Sequence, residues 1–276
     1  MRGHDAVDGK QRALNRGAVM VWSKFPYPNA HFRHTPASLK KAWRGLHAGD
    51  VEPWPRADPL VHAWIAFHQG DFERAEQEGL AIGMAGHAVA NKASCVHAVY
   101  LEPSPAVKCT RLQAVAERCV QQQASQPDTA SAFYWHAYAL GRYAQEISVI
   151  HALAEGIGGK VKASLETTLA LAPRHADAHI ALGVYHAEII DKTGALIGRL
   201  SYGASRDDAL SHFERALELN PDSAIARVEY ARALLMLDGR GKVEEATALR
   251  RVAAGAAPRD AMERLDIERA RQELGE

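Results

Sequence analysis

The sequence predicts an all-α superhelix of antiparallel helix pairs, and three observations carry that expectation. First, the stretches QQQASQPDTA, LALAPRHA, LELNPDSA and AAGAAPRDA each end an Ala-, Leu- or Gln-rich run with proline and reach alanine three residues later. The prolines are Pro127, Pro173, Pro221 and Pro258, and the shared P-x-x-A suits one helix stopping and the next starting. Second, small and bulky residues recur between these stops in one register of about 34 residues. Third, two intervals are longer than that register: Pro127 to Pro173 is 46 residues and Pro173 to Pro221 is 48.

The elements follow in order. HAWIAFHQGDFERA reads as a first pair, with Ala63 where the partner helix crosses closest, Gly70 and Asp71 in the turn, and Ala75 in the second helix. AWRGLHAGD (42–50) echoes AWIAFHQGD (63–71), so the pattern begins earlier. The third pair ends in VKASLETTLALAP with Leu165 at a packing position, and carries about 12 extra residues within RYAQEISVIHALAEGIGGK. The fourth places His179, Leu182, Gly183 and His186 at positions 4, 7, 8 and 11, then Ala209, Phe213 and Ala216 at 20, 24 and 27. Its insert, EIIDKTGALIGRLSYGAS, adds about 14 residues. The fifth has Tyr230, Ala231 and Leu234 facing Ala246 and Ala253, with three extra residues in DGRGK, and DAMERLDIERARQELGE reads as a C-terminal capping helix. Because neighbouring repeats stack in parallel, both inserts are expected on the same edge.

RHADAHIALGVYHAEIIDK brings His175, His179 and His186 onto one stripe of a helix. Histidines at i and i+4 are a zinc-binding spacing. Two of the three, however, fall where the register wants bulky packing residues, and no nearby Cys or Glu offers a third ligand. The expectation is packing, with no metal and no cofactor. EGIGGKV lacks two residues of a phosphate loop, having Ala154 and Val161 where Gly and Ser or Thr would stand. No nucleophile elbow, H-E-x-x-H, dinucleotide fingerprint or cysteine pair is present, so no enzyme is expected.

Lys plus Arg and Asp plus Glu both number 33, which leaves no basic surplus for a sequence-independent grip on nucleic acid. The first 50 residues are the exception, with nine basic against three acidic. Residues 1–35 are therefore read as a basic arm, partly ordered at best, ahead of a solenoid over 36–276. Cys95, Cys109 and Cys119 cannot all pair, which suits free thiols in a reducing cytoplasm. No apolar run reaches transmembrane length.

The helix-pair register is that of the tetratricopeptide repeat (TPR). Over roughly 130–275 the sequence resembles a particular branch of TPR proteins, the regulator of microtubule dynamics family and the TPR proteins associated with TRAP transporters. The two long inserts and YGASRDDALSHFERAL carry that resemblance. It implies a right-handed helical superhelix without catalytic residues, acting through partners or a ligand cleft. The positions that face the concave side of such a superhelix are Trp64, Phe67, Tyr134, Tyr138, Arg142, Asp177, Glu188 and Arg232. Exposed aromatics beside charges there suit a protein or peptide partner, so the leading expectation is a cytoplasmic scaffold. The alternative is a small-ligand pocket between the inserts, lined by Tyr143, His151, Tyr185 and Tyr202. A metal-dependent enzyme using the histidines is the remaining alternative.

Overall fold

The computed structural model describes residues 21–275. Among them there is no strand, and fourteen α-helices account for the architecture. A lone helix, α1 (Pro36–Leu46), precedes five antiparallel pairs. These are α2 (Asp58–Gln69) with α3 (Phe72–Ile82), and α4 (His87–Tyr100) with α5 (Pro105–Ser125). The third pair is α6 (Ala130–Glu146) with α8 (Ile157–Leu171), separated by the short insert helix α7 (Val149–Ala154). The fourth is α9 (Ala176–Thr193) with α11 (Arg206–Leu219), separated by α10 (Ala195–Tyr202). The fifth, α12 (Ala224–Asp238) with α13 (Val243–Ala254), is followed by α14 (Ala261–Leu274). The TPR-like superhelix is thus present with both intra-repeat insertions and the C-terminal helix.

The P-x-x-A signal marks helix starts. α6, α9, α12 and α14 all begin on that alanine. Ser223 and Asp260 stand just before it and accept the N–H of the residue three further on, which satisfies one of the donors a helix start leaves free. His175 does the same for α9: its Nδ1 accepts the Ala178 N–H at 3.1 Å. This corrects the three-histidine stripe, because a capping residue lies outside the helix face. His175 is buried beside the Tyr134 ring, at 4.4 Å between centroids.

The seams between paired helices follow the register. Ala63, Ala75, Leu165, Ala209, Phe213, Ala231 and Ala246 are fully buried. Gly183 lies under the Phe213 ring, and a Cβ there would come within 2.7 Å of it. Among the described residues α1 has no partner helix of its own and packs on α2, so the early echo amounts there to half a repeat.

Residues 1–20 of the expected basic arm lie outside the described residues. From Trp22 onward the chain packs on the first two pairs. The Trp22 ring covers the Arg111 guanidinium at 3.9 Å, and the Ser23 N–H donates to His97 Nε2 at 2.8 Å. Phe25 covers Gly70, whose φ of +93° ends α2 in a left-handed turn with no room for a Cβ. Cys95 and Cys119 are buried free thiols, and Cys109 is free and partly buried.

Candidate functional site

The first helices of successive pairs line the concave side of a TPR-like superhelix, and here that side is closed. α14 packs on α12 and α13 and also reaches α2 at the opposite end of the chain. His68 Nδ1 and Asp260 Oδ2 meet at 2.7 Å across that junction, and the Tyr100 hydroxyl donates to Asp266 on α14. A third tie crosses the middle: Arg142 of α6 pairs with Glu229 of α12 at 2.8 Å, although α9 lies between those helices. Burial works against ionising Glu229, yet Arg142, Arg232 and Arg269 outweigh it and hold its carboxyl at about 2.

What remains inside is a cavity of about 200 Å³. α9 presents a continuous stripe to it from Asp177 through Ile180, Ala181, Val184, Tyr185, Glu188 and Ile189 to Thr193. That stripe is about 24 Å long at 1.5 Å per residue, so the cavity is slender. α6 supplies Tyr134, Tyr138, Gly141 and Arg142, and the inserts supply Val149, Leu153, Ile157 and Tyr202. Val149 and Leu153 are also exposed, so the cavity opens at the insert end.

The opposite end is charged. Asp50, from the link between α1 and α2, accepts Lys92 Nζ at 2.6 Å and meets His47 Nδ1 at 2.8 Å. Burial opposes its ionisation, but His47 and Lys92 hold its carboxyl well below the usual range. Burial also pushes the His47 imidazole down to about 4, against the pull of Asp50. Lys92 lies over Phe67 and Trp64, at 5.2 and 5.8 Å from their ring centres. Asp177, Arg259, Glu263 and Asp266 complete this end.

Of the eight residues chosen for the groove, Tyr134, Tyr138, Arg142, Asp177 and Glu188 line the cavity. Trp64 and Phe67 do not. Both are fully buried in the cluster that α1 to α4 and the start of α14 form, Trp64 against the rings of Trp43 and His47 and Phe67 against Phe72 and Lys92. Arg232 is outside the lining, engaged by Glu229 and Glu273. Of the four residues chosen for the insert pocket, Tyr185 and Tyr202 line the same cavity, and the Tyr185 hydroxyl donates to the Tyr202 carbonyl at 3.2 Å. Tyr143 is buried in the neighbouring core, and His151 is exposed and paired with Glu155 at 2.6 Å. The groove and the insert pocket are therefore two ends of one space. Sequence reasoning missed Asp50, Lys92, Gly141, Glu229, Glu263 and Asp266. Gly141 had a signal: it stands at position 12 of the register, a concave position, inside an otherwise good helix-forming run.

The other histidines have separate tasks. His179 Nδ1 faces His212 Nδ1 at 2.9 Å, and His186 Nδ1 accepts the Ser205 N–H. Among the described residues no group of three His, Cys, Asp or Glu side chains is placed to hold a metal ion.

Fold and cavity together define a helical-repeat protein of TPR-like architecture. A solved structure agrees: the chain is similar to TTC0263, a thermophilic TPR protein of Thermus thermophilus, with a TM-score of 0.55 over 77% of this chain and 97% of that one. The identity is 18%, so the likeness is one of fold. No protein-family model and no curated protein matches the sequence.

Proposed function

We propose that this protein is a binding protein that holds a small, slender, amphipathic molecule inside its closed superhelix. The observation that carries the proposal is Gly141. A glycine inside a helix costs about 1 kcal/mol relative to alanine. Such a residue usually makes room for a neighbour, yet a Cβ at Gly141 would meet nothing within 4 Å. Its bare Cα faces the cavity instead, and a ligand lying along α6 and α9 accounts for the space. A cavity of about 200 Å³ exceeds the roughly 150 Å³ that accepts benzene in an apolar core.

A peptide laid along the concave face, as the eight groove residues would have it, is less well supported. It would have to part Arg142 from Glu229, and parting a buried pair costs about 3–5 kcal/mol. No helix among the described residues is long and apolar enough to cross a membrane. We place binding in the cytoplasm, where the free thiols Cys95 and Cys119 would stay reduced.

1-Octanol tests the cavity as an uncharged probe. It is expected to raise the melting temperature of the wild-type protein and to give saturable heat in calorimetry. Gly141→Phe, which fills the void from α6, should fold and lose both responses. A wild-type protein indifferent to the probe, or a Gly141→Phe variant that still responds, would overturn the reading.

A further inference from the structure

The closed end of the cavity holds more acid than its own bases neutralise. Asp50 is engaged by Lys92 and His47, Glu263 by Arg259, and Glu229 by Arg142. Two carboxylates remain. Asp177 makes no side-chain hydrogen bond and no ion pair among the described residues. Its carboxylate lies against the bare Cα of Gly49, where a Cβ would collide with Oδ1. Asp266 is only 3% exposed. Its Oδ1 receives the Tyr100 hydroxyl, and its Oδ2 has no hydrogen bond among the described residues.

Both groups register the deficit. Burial, then the charge of Asp50, pushes Asp177 up to about 7, with Lys92 opposing and Glu263 adding. Burial pushes Asp266 up to about 8 against Tyr100 and Arg269, with Glu263 and Asp177 adding to the rise. Asp266 is buried and Asp177 half-buried, and neither has a cation in contact among the described residues; a carboxylate so placed is held at a cost that a bound cation removes. No metal-binding set exists among the described residues, and the space beside these groups continues into an apolar channel. Ile180, Val184 and Gly141 line its middle, and Tyr185 and Tyr202 its far end. A volume of about 200 Å³ drawn out along about 24 Å of helix suits a single unbranched chain.

Resting on the ligand-cavity reading, we infer that the ligand is a protonated aliphatic amine. Its ammonium group lies between Asp177 and Asp266, and its unbranched apolar tail runs along α9 past Gly141 towards Tyr202. The ammonium supplies donors to Asp177 and to Oδ2 of Asp266, and the tail displaces water from the channel. A fatty acid would set its own carboxylate among Asp177, Asp50 and Glu263, where negative charge is already disfavoured, or else leave that end unsatisfied.

The test is isothermal titration of the full-length protein at neutral pH with n-octylamine, 1-octanol and octanoate. Wild type, Asp177→Asn, Asp266→Asn and Gly141→Phe are compared, with circular dichroism melts as folding controls. The expected order on wild type is octylamine at least tenfold tighter than octanol, with octanoate weakest. Either Asn variant should bring octylamine down to the affinity of octanol, and Gly141→Phe should abolish binding of all three. The wild-type ranking decides the question even if an Asn variant fails to fold. Octanol equal to octylamine, or octanoate the tightest, overturns the amine assignment and leaves the cavity reading standing. Absence of binding by every probe, or binding that survives Gly141→Phe, overturns the cavity reading and the amine assignment with it.

Discussion

The seams between paired helices and the concave interior follow different rules. At a seam, alanines and one glycine let backbones approach while a ring such as Phe213 fills the remaining space. Most groups there are apolar, with pairs such as His179–His212 and His136–Ser164 satisfying the polar ones, and stability comes mainly from area removed from water. In the interior the contacts are ion pairs and charged hydrogen bonds between helices that are not neighbours, around space left empty. Evenly spaced small and bulky residues are enough to stack helix pairs. What closes the stack is a handful of polar and charged contacts, two where its ends meet and one across its middle.

The comparison breaks most sharply at Glu229. Removing it leaves Arg142 buried and unpaired, with Arg232 and Arg269 close by. Glu229→Ala should therefore cost about 3–5 kcal/mol in urea unfolding. The sign with pH follows from the lowered carboxyl at about 2. The contribution is fully present above about 4.5 and lost as pH falls towards 2, so the variant and wild type should converge in acid. A smaller loss at neutral pH would mean that the cross-tie is slack.

Next in size is the seam itself. Gly183→Leu drives a side chain into the Phe213 ring and should lower stability by about 2–3 kcal/mol through overpacking. A melting temperature equal to wild type would show that the helix register is wrong.

The interior predicts the opposite sign at Asp177. A carboxyl raised to about 7 from an ordinary value of 3.8 costs stability progressively as pH rises between those values, and fully above 7. Asp177→Asn should stabilise the empty protein on the order of 1–2 kcal/mol at pH 8 and hardly at all at pH 4. The gain stays below the full shift because Asp177 is itself only half-buried, so solvent screens part of the cost. The groups around Asp177 are Asp50, Lys92, Tyr134, Glu263 and Asp266, and only Lys92 favours its charge. A gain independent of pH would point to a packing effect.

The smallest effect sharpens the comparison rather than breaking it. Gly141→Ala should raise stability by about 0.5–1 kcal/mol from helix propensity alone, because nothing stands near the added methyl. Any loss in a thermal melt would mean that the glycine serves a contact.

The sequence by itself determined the first, third, fourth and fifth helix pairs, their seam residues, the two inserts and the capping helix, while of the second pair it marked only the closing Pro127. Each of these depends on partners within one or two repeats, so proline stops and small-residue spacing are sufficient to place them. It also marked Tyr134, Tyr138, Arg142, Asp177 and Glu188 as concave, since that property follows from the register. The tertiary structure decided that α1 packs over Trp64, that Phe67 lies against Phe72 and Lys92, and that the concave side is closed, which joined the groove to the insert pocket. Closure rests on His68 with Asp260, 192 residues apart, on Tyr100 with Asp266, 166 apart, and on Arg142 with Glu229, 87 apart. No periodic pattern encodes such pairs. Their meeting depends on the summed rotation of every repeat between them, a quantity that small angles at each seam set and that only the folded chain adds up.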